Sequence, residues 1–340
     1  MATDRPSRPW WPWLRRGLTA LFFLGVGTLL FVSARRIEWS EVGQALQALP
    51  PGVLALAGLL ALVSYGIFSS YDLAGRHYTG HRLPVRSVVL VNFISYAFNL
   101  NLGAMVGGVA FRYRLYSRLG LDPGTTTRVI TLSMITNWIG YAWLFGGVLL
   151  MAPPELPEGW EAGTLALRAA GAGFLAVGIA YVLLCAFKAG RVWTVRGHEI
   201  EVPGPRMALF QVALSCLNWS VMALMIWVLL RGEIAWPTVL SVLLVAAVAG
   251  VLTHVPAGLG VLEAVFLAFL ASDMAQGPLL AALLAYRGLY YILPLVLATI
   301  AYLVTEARAH RLKGRPHGEA GAPAARDART PACPATATGR

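Results

Sequence analysis

Long apolar runs, separated by short basic or proline-rich segments, make up most of the chain. Each run approaches the roughly 20 apolar residues that a helix needs to cross the hydrocarbon core of a bilayer. The pattern predicts an all-α polytopic membrane protein with a single transmembrane domain over 14–306, in two halves, 14–152 and 165–306. The runs lie at 17–34, 53–71, 87–111, 129–152, 169–187, 207–230, 234–262 and 277–305, and a short apolar arm, 264–272, follows the seventh.

The segments outside this domain are short. Residues 1–13 are predicted to form a basic cytoplasmic N-terminus, and residues 307–340, rich in Gly, Pro, Ala and Arg, a disordered cytoplasmic tail. The first run is interpreted as a retained span rather than a signal peptide. It lacks a small-residue cleavage site, and Arg35 and Arg36 follow it directly. No part of the chain is long and polar enough to predict a separate soluble domain.

Composition and charge narrow the class of protein. The 340 residues are 57% hydrophobic and 13% charged, whereas soluble domains are about half apolar and a quarter charged. This balance excludes an ordinary soluble enzyme, a disordered chain and a nucleic-acid-binding domain. The net charge of +11 is typical of basic cytoplasmic loops rather than of a nucleic-acid partner. Three scattered cysteines are too few for a disulfide framework or a zinc site.

The charge of the loops indicates their side of the membrane. Basic residues outnumber acidic ones in 72–86, 112–128 and 188–206 and at the start of the tail, which predicts that these segments are cytoplasmic. By contrast, 153–168 carries three glutamates against one arginine and is predicted to lie outside. If 87–111 crossed the membrane completely, the basic loops on either side of it would lie on opposite faces.

Two hairpins remove this conflict. We expect 87–111 to enter from the cytoplasm, turn at 99–103 and return, and 234–272 to do the same from outside, turning at 255–260. The chain would then hold about six full spans and two re-entrant helical hairpins in an inverted repeat, an arrangement that points to a transporter's substrate site. The alternative is eight plain helices with a local exception to the positive-inside rule.

The first hairpin offers small and polar residues at membrane depth. Its returning arm would begin near Gly103, where free backbone N–H groups and the positive end of the helix dipole favour an anion such as phosphate. Alternatively, Gly103 and Gly107 only allow close helix packing, and the two interpretations are compatible. The candidate substrate-binding residues here are Asn99, Asn101, Gly103, Gly107, Gly108 and Arg112.

The second hairpin adds an ionisable residue. Glu263 lies one turn into its returning arm, and such a group inside an apolar run usually faces a cavity or a charged partner. The alternative is a protonated or paired structural acid, and a lone histidine such as His254 is more often a hydrogen-bonded core residue than a ligand. The candidates are His254, Pro256, Gly258, Gly260 and Glu263.

The last run contains a buried cation. Arg287 lies about ten residues into the run and therefore roughly 15 Å deep, too deep to reach the interface easily. Tyr290 and Tyr291 share its helix face, and the candidate substrate-binding residues in this run are Arg287 and Tyr290. Arg287 needs a counter-charge, which could be Glu263, a lipid phosphate or each in turn; a permanent pair with Glu263 is the structural alternative. Asp72, at the end of the second run, is expected at the membrane interface rather than in a cavity.

Three ordered segments resemble the lysylphosphatidylglycerol synthase transmembrane-region family: 99–116, NLNLGAMVGGVAFRYRLY; 253–263, THVPAGLGVLE; and 286–291, YRGLYY. The resemblance covers about 14–306. It implies a lipid-handling membrane protein, since in two-part members this region is a phospholipid flippase and a separate soluble domain makes the aminoacylated lipid. Leu102 and Gly103 stand where the family often has a proline turn. The family's motif residues correspond here to Asn99, Gly107, Gly108, Arg112, Pro256, Gly258, Gly260, Glu263 and Arg287.

These observations predict flippase-like transport of an anionic phospholipid or lipid-linked substrate across the bacterial cytoplasmic membrane, with both termini cytoplasmic. No cofactor, metal or catalytic residue is predicted, and the oligomeric state is not indicated. Arg287 and the two half-helix N-termini would hold the phosphate, Glu263 would neutralise Arg287 in the empty site, and Arg112, Arg114 and Arg118 would attract headgroups. The alternatives are an integral-membrane enzyme that modifies a lipid headgroup, with His254 near its site, and a structural or partner-binding membrane protein.

Overall fold

The computed structural model describes residues 39–154, 163–195, 198–253, 255 and 258–313. These residues are almost entirely helical. The helices are α1 (Trp39–Gln47), α2 (Pro51–Thr79), α3 (Val85–Leu102), α4 (Phe111–Arg118), α5 (Pro123–Met151), α6 (Thr164–Phe187), α7 (Pro205–Leu229), α8 (Trp236–Thr253), α9 (Val261–Leu270), α10 (Gln276–Arg287) and α11 (Leu293–Lys313). Two π-helical segments, Ala104–Ala110 and Gly288–Ile292, precede α4 and α11, and strands β1 (Val192–Val195) and β2 (His198–Glu201) form an antiparallel hairpin.

Seven helical stretches among the described residues are long and apolar enough to cross a membrane, which confirms the predicted all-α polytopic architecture. The shorter α9 is also apolar. The first predicted run, 17–34, lies outside the described residues. The stretches are Pro51–Thr79, Val85–Leu102, Pro123–Met151, Thr164–Phe187, Pro205–Leu229, Trp236–Thr253 and Gln276–Ala307. A compact unit ends at Thr299, and a second begins at Ile300, of which the described part is helical.

Prolines and caps define the helix ends. Proline occupies the first helical position of α2, where its missing N–H costs nothing, and Gly80 ends this helix in the left-handed region at φ 68°. At the start of α5, the Asp122 side chain accepts a 2.9 Å hydrogen bond from the Thr125 backbone N–H. This hydrogen bond lowers the pKa of the Asp122 carboxyl, because it stabilises the charged form.

Helix α2 is central, since it packs against α3, α5 and α7, and α5 also packs against α6 and α7. Small residues allow the closest approaches. A Cβ on Gly146 would lie 2.8 Å from the carbonyl oxygen of Gly171, so α5 and α6 nearly touch there. In lipid, such close packing replaces the hydrophobic drive that joins helices in water.

The chain reverses direction at Gly103, the turn predicted for the first hairpin. Gly103 has φ 86°, and a Cβ on Gly107 would overlap the backbone of Asn99. In a continuous helix, residues eight positions apart would be about 12 Å apart. The Phe98 and Phe111 rings also stack, with centroids 4.2 Å apart. The arms therefore pack against each other, while entry from one side of the membrane stays a prediction.

Helices α8 and α9 likewise pack against each other across the second predicted turn. Gly258 and Gly260 adopt φ values of 54° and 75°, which side chains with a Cβ rarely adopt. Two predicted site residues in this turn, His254 and Pro256, lie outside the described residues. The membrane side of this turn and the inverted repeat stay predictions.

Candidate functional site

Arg287, the last residue of α10, forms a bidentate ion pair with Glu263 of α9. Its Nε donates to Glu263 Oε1 and its Nη2 donates to Glu263 Oε2 at 3.0 Å. The side chains are only 9% and 16% exposed. Glu263 is therefore the counter-charge of Arg287 in this structure. That a lipid phosphate replaces Glu263 when substrate binds stays a prediction.

The turn before α9 contributes to the same site. Arg287 Nη2 also donates to the Gly258 carbonyl oxygen at 2.8 Å. Gly260 caps α9, which places Glu263 in the first turn of that helix. The positive end of a helix dipole favours a carboxylate there. The helix start at which we expected a phosphate thus carries the protein's own anionic side chain.

A π-helical segment begins directly after Arg287. Such segments insert a residue into a helix and often lie at functional sites. Here the segment places the Tyr291 ring beside the guanidinium, with Arg287 Cζ 5.2 Å from the ring centroid. An aromatic face at this distance stabilises a cation whose hydration is reduced.

Tyr290 is fully buried and joins several helices. Its hydroxyl lies 2.7 Å from Ser64 Oγ of α2 and 2.9 Å from the Tyr96 hydroxyl of α3. Ser64 Oγ in turn donates to Asn218 Oδ1 of α7 at 2.8 Å. The proposed substrate-binding residue Tyr290 therefore has hydrogen-bond partners within the protein, and these bonds anchor the π-helical segment that follows Arg287.

Asn101 of the first hairpin contacts the segment that follows Arg287. Its side-chain Nδ2 donates to the Ala97 carbonyl at 2.8 Å and to the Tyr291 carbonyl at 3.2 Å. Tyr291 thus contacts Asn101 through its backbone and Arg287 through its ring. Through Tyr291, the structure links Asn101 of the first hairpin to Arg287 of α10 and so to its pair with Glu263.

Asn99, Gly107 and Gly108 lie instead where the arms of the first hairpin cross. A Cβ on Gly107 would overlap the Asn99 backbone, and one on Gly108 would lie 2.9 Å from Asn99 Oδ1. Both glycines are buried. These contacts support the packing interpretation of the glycines, and binding by these residues stays a prediction.

Arg112 lies in a second buried ion pair, with Asp72. Arg112 Nη2 is 3.0 Å from Asp72 Oδ1, and Nε donates to Oδ2 at 3.2 Å. The residues are 4% and 0% exposed. The expectations that Asp72 lies at the membrane interface and that Arg112 belongs to an exposed surface attracting headgroups were therefore wrong. Each charge compensates the other, so neither has to reach water.

Neighbouring side chains complete this pair. The Tyr116 hydroxyl donates to Asp72 Oδ2 at 2.8 Å, and Arg112 Nη2 donates to Ser133 Oγ at 3.3 Å. The Phe68 ring lies beneath the guanidinium, 5.9 Å from its Cζ. The sequence analysis did not predict this pair. Asp72 and Arg112 directly follow two apolar runs of the same half, and this placement of opposite charges could have suggested that they pair.

The architecture is that of a polytopic helical membrane protein with two buried arginine–carboxylate pairs. Each pair joins the returning arm of a helical hairpin to a neighbouring helix. The family described as the lysylphosphatidylglycerol synthase TM region matches residues 18–298, and the chain belongs to this family.

Relatives agree with this assignment. The chain is 46% identical to the inner membrane protein YbhN of Escherichia coli over 310 residues, 91% of this chain and 98% of that protein. It is 31% identical to the protein slr0712 of Synechocystis sp., over 87% of this chain and 92% of that protein. It is also 24% identical to the phosphatidylglycerol lysyltransferase of Staphylococcus haemolyticus, over 83% of this chain but 33% of that enzyme. The chain is therefore a multi-pass protein of the bacterial inner membrane.

Proposed function

We propose that this protein translocates an anionic phospholipid or lipid-linked substrate across the inner membrane, in the manner of a flippase. The observation that carries the proposal is the site of Arg287. This buried guanidinium pairs with a carboxylate from the first turn of a helical arm and binds the turn before that arm, and Asn101 of the first hairpin binds the segment that follows Arg287. A lipid phosphate could take the place of that carboxylate.

The chemistry of the two anions favours such an exchange. A guanidinium presents a planar fork of donors that fits a carboxylate or a phosphate equally well. An unpaired charge in a site of low dielectric costs several kcal/mol, so Arg287 keeps an anion in every state. Glu263 serves in the empty site, and the substrate phosphate serves during transport.

The same contacts link the exchange to movement of the hairpins. Arg287 also binds the Gly258 carbonyl, so replacement of Glu263 by a phosphate loosens the hold on the second turn. Asn101 of the first turn binds the segment that follows Arg287. A substrate at Arg287 is therefore in a position to release one turn and bias the other.

The relatives support a lipid substrate. Phosphatidylglycerol lysyltransferase is named for an anionic phospholipid, and this chain matches a third of that enzyme. The family description also names a lysylphosphatidylglycerol synthase. We extend to this chain the lipid chemistry of these names but not the transferase reaction.

The test is translocation in vesicles that contain the purified full-length protein. Headgroup-labelled phosphatidylglycerol in the inner leaflet becomes accessible to an impermeant quencher only after crossing. We expect crossing with the parent protein and its loss in Arg287→Ala and Glu263→Gln. Glu233→Gln, in the exposed loop after α7, is the matched control and should retain full activity.

The outcomes separate the alternatives. Translocation by Arg287→Ala and Glu263→Gln at the parental rate would show that the site is wrong. Failure of the folded parent to move any of the labelled phospholipids tested would contradict the transport function. A chemically modified headgroup in the lipid extract would establish that the protein is an enzyme. If the parent transports no lipid and the Arg287 and Glu263 variants are less thermally stable than the parent, a structural role is favoured.

A further inference from the structure

A groove of about 850 Å³ lies between the end of α2, the return from the β-hairpin and the start of α7. Its lining residues are of two kinds. Leu73, Met207 and Phe210 make up its apolar part, and His77, Glu201 and Arg206 make up its polar part. Such a division suits an amphiphile better than a free ion or a wholly apolar ligand.

The position of the groove agrees with this division. The end of α2 and the start of α7 border segments predicted to be cytoplasmic, so we expect the polar part at the level of the inner-leaflet headgroups. Phe210 is 48% exposed and its neighbour Leu209 58% exposed. The apolar part therefore continues onto the outward surface of α7, where acyl chains would lie.

The polar part offers binding groups of both signs. Arg206 is exposed in the first turn of α7, and the cap residue, Gly204, has no side chain to occupy the free N–H groups of that turn. Glu201 is also exposed. Its carbonyl accepts a hydrogen bond from the Tyr78 hydroxyl of α2, which holds the end of β2 against the groove.

We propose that this groove binds an inner-leaflet phospholipid whose headgroup carries both a phosphate and a primary amine, as phosphatidylethanolamine does. The phosphate binds Arg206 and the start of α7, the ammonium binds Glu201, and an acyl chain follows Leu73, Met207 and Phe210. The groove excludes the residues of the Arg287 site, and the proposal holds whether or not the protein transports lipid.

The test uses the full-length protein in phosphatidylcholine nanodiscs that contain a minor fraction of phosphatidylethanolamine with a photoreactive acyl chain. Cross-linked peptides are identified by mass spectrometry. We expect labelling along 70–78 and 204–210, reduced about fivefold in Arg206→Ala and in Glu201→Gln, as for exposed ionic contacts. Arg86→Ala and Glu233→Gln, which change exposed charges outside the groove, should label like the parent.

A second photoreactive lipid separates the two charges. With phosphatidylglycerol, which has no amine, Arg206→Ala should still reduce labelling of the groove, whereas Glu201→Gln should leave it unchanged or increase it. Labelling of the groove by phosphatidylcholine to the same extent, or equal labelling of all variants, would overturn the proposal. Because only binding is measured, a negative result leaves the proposed translocation to its own test.

Discussion

The two buried ion pairs have similar chemistry but very different surroundings. Asp72 and Arg112 are enclosed, with side chains 0% and 5% exposed and further hydrogen bonds to Tyr116 and Ser133. Glu263 and Arg287 are more accessible, at 16% and 9%. Arg287 also binds a backbone carbonyl of a glycine turn, that of Gly258, and lies beside the Tyr291 ring.

This difference indicates two roles. The Asp72 pair joins α2, α4 and α5, and side-chain hydrogen bonds from Tyr116 to Asp72 and from Arg112 to Ser133 complete it. The Glu263 pair is more exposed, and Arg287 also binds the backbone of the glycine turn before α9, so an anion from outside the protein has better access to it. We therefore assign the first pair to stability and the second to substrate exchange.

The largest predicted effect is on stability. Asp72→Asn should lower the free energy of unfolding by about 3–5 kcal/mol, because Arg112 stays buried without a counter-charge. Glu263→Gln should cost less, since its pair is more exposed. The measurement is an unfolding titration in mixed micelles, with Glu233→Gln as the control. If the Asp72→Asn protein is as stable as the parent, the assignment of the Asp72–Arg112 pair to stability is wrong.

The next effect concerns the turn that positions Asn101. Gly107→Ala should lower stability by about 1–3 kcal/mol, because the new methyl group overlaps the Asn99 backbone, which cannot rotate away. Gly108→Ala should cost less, since it meets only the Asn99 side chain. Gly147→Ala, with open space around it, is the control. Equal unfolding curves for Gly107→Ala and Gly147→Ala would contradict the packing of the arms.

Conservative substitution of the two arginines separates the roles. Arg287→Lys should reduce lipid translocation about tenfold in the folded protein, because a lysine loses the bidentate contact to a phosphate. Arg112→Lys should lower the folded fraction but leave the rate per folded molecule nearly unchanged. Both are measured in the vesicle assay after correction for folded protein. The same loss of rate for both variants would show that the pairs act together.

The smallest effect links the two hairpins. Asn101→Ala removes the hydrogen bond to the Tyr291 carbonyl and should cost about 1 kcal/mol of stability. Because Tyr291 contacts Arg287, translocation should fall more than this loss of stability explains. Thermal unfolding and the vesicle assay are compared on the same sample, and unchanged transport would show that the first turn does not influence the Arg287 site.

Much of the helical architecture could be predicted because apolar runs report membrane depth directly. The interruption at 99–103 was predicted from its Asn and Gly content, and the chain reverses at Gly103. The break after Arg287 could not be predicted, because Gly288–Ile292 lies inside the apolar run 277–305 and only a π-helical insertion distinguishes it. The helix α1 and the β-hairpin are short elements that carry no long periodic signal.

The candidate site could be predicted only where one residue stands out by itself. Arg287 and Glu263 are charges within apolar runs, so their pairing could be considered from the sequence alone. Asp72 and Arg112 lie at the ends of runs, where charges are common, and their pairing depends on how α2 packs beside α4. Tyr290 was predicted from its helical spacing to Arg287, whereas its partners Ser64 and Tyr96 come from other helices.

The central claim is that two hairpins enter from opposite sides of the membrane and meet at Arg287. The most direct test is the sidedness of four single cysteines in an otherwise cysteine-free protein, labelled with an impermeant thiol reagent. We predict that Ser87→Cys and Ser117→Cys react from the cytoplasmic side and that Pro237→Cys and Ser272→Cys react from the outer side. If Ser87→Cys and Ser117→Cys react from opposite sides, the segment between them crosses the membrane, and the same holds for Pro237→Cys and Ser272→Cys. Either result would contradict the account.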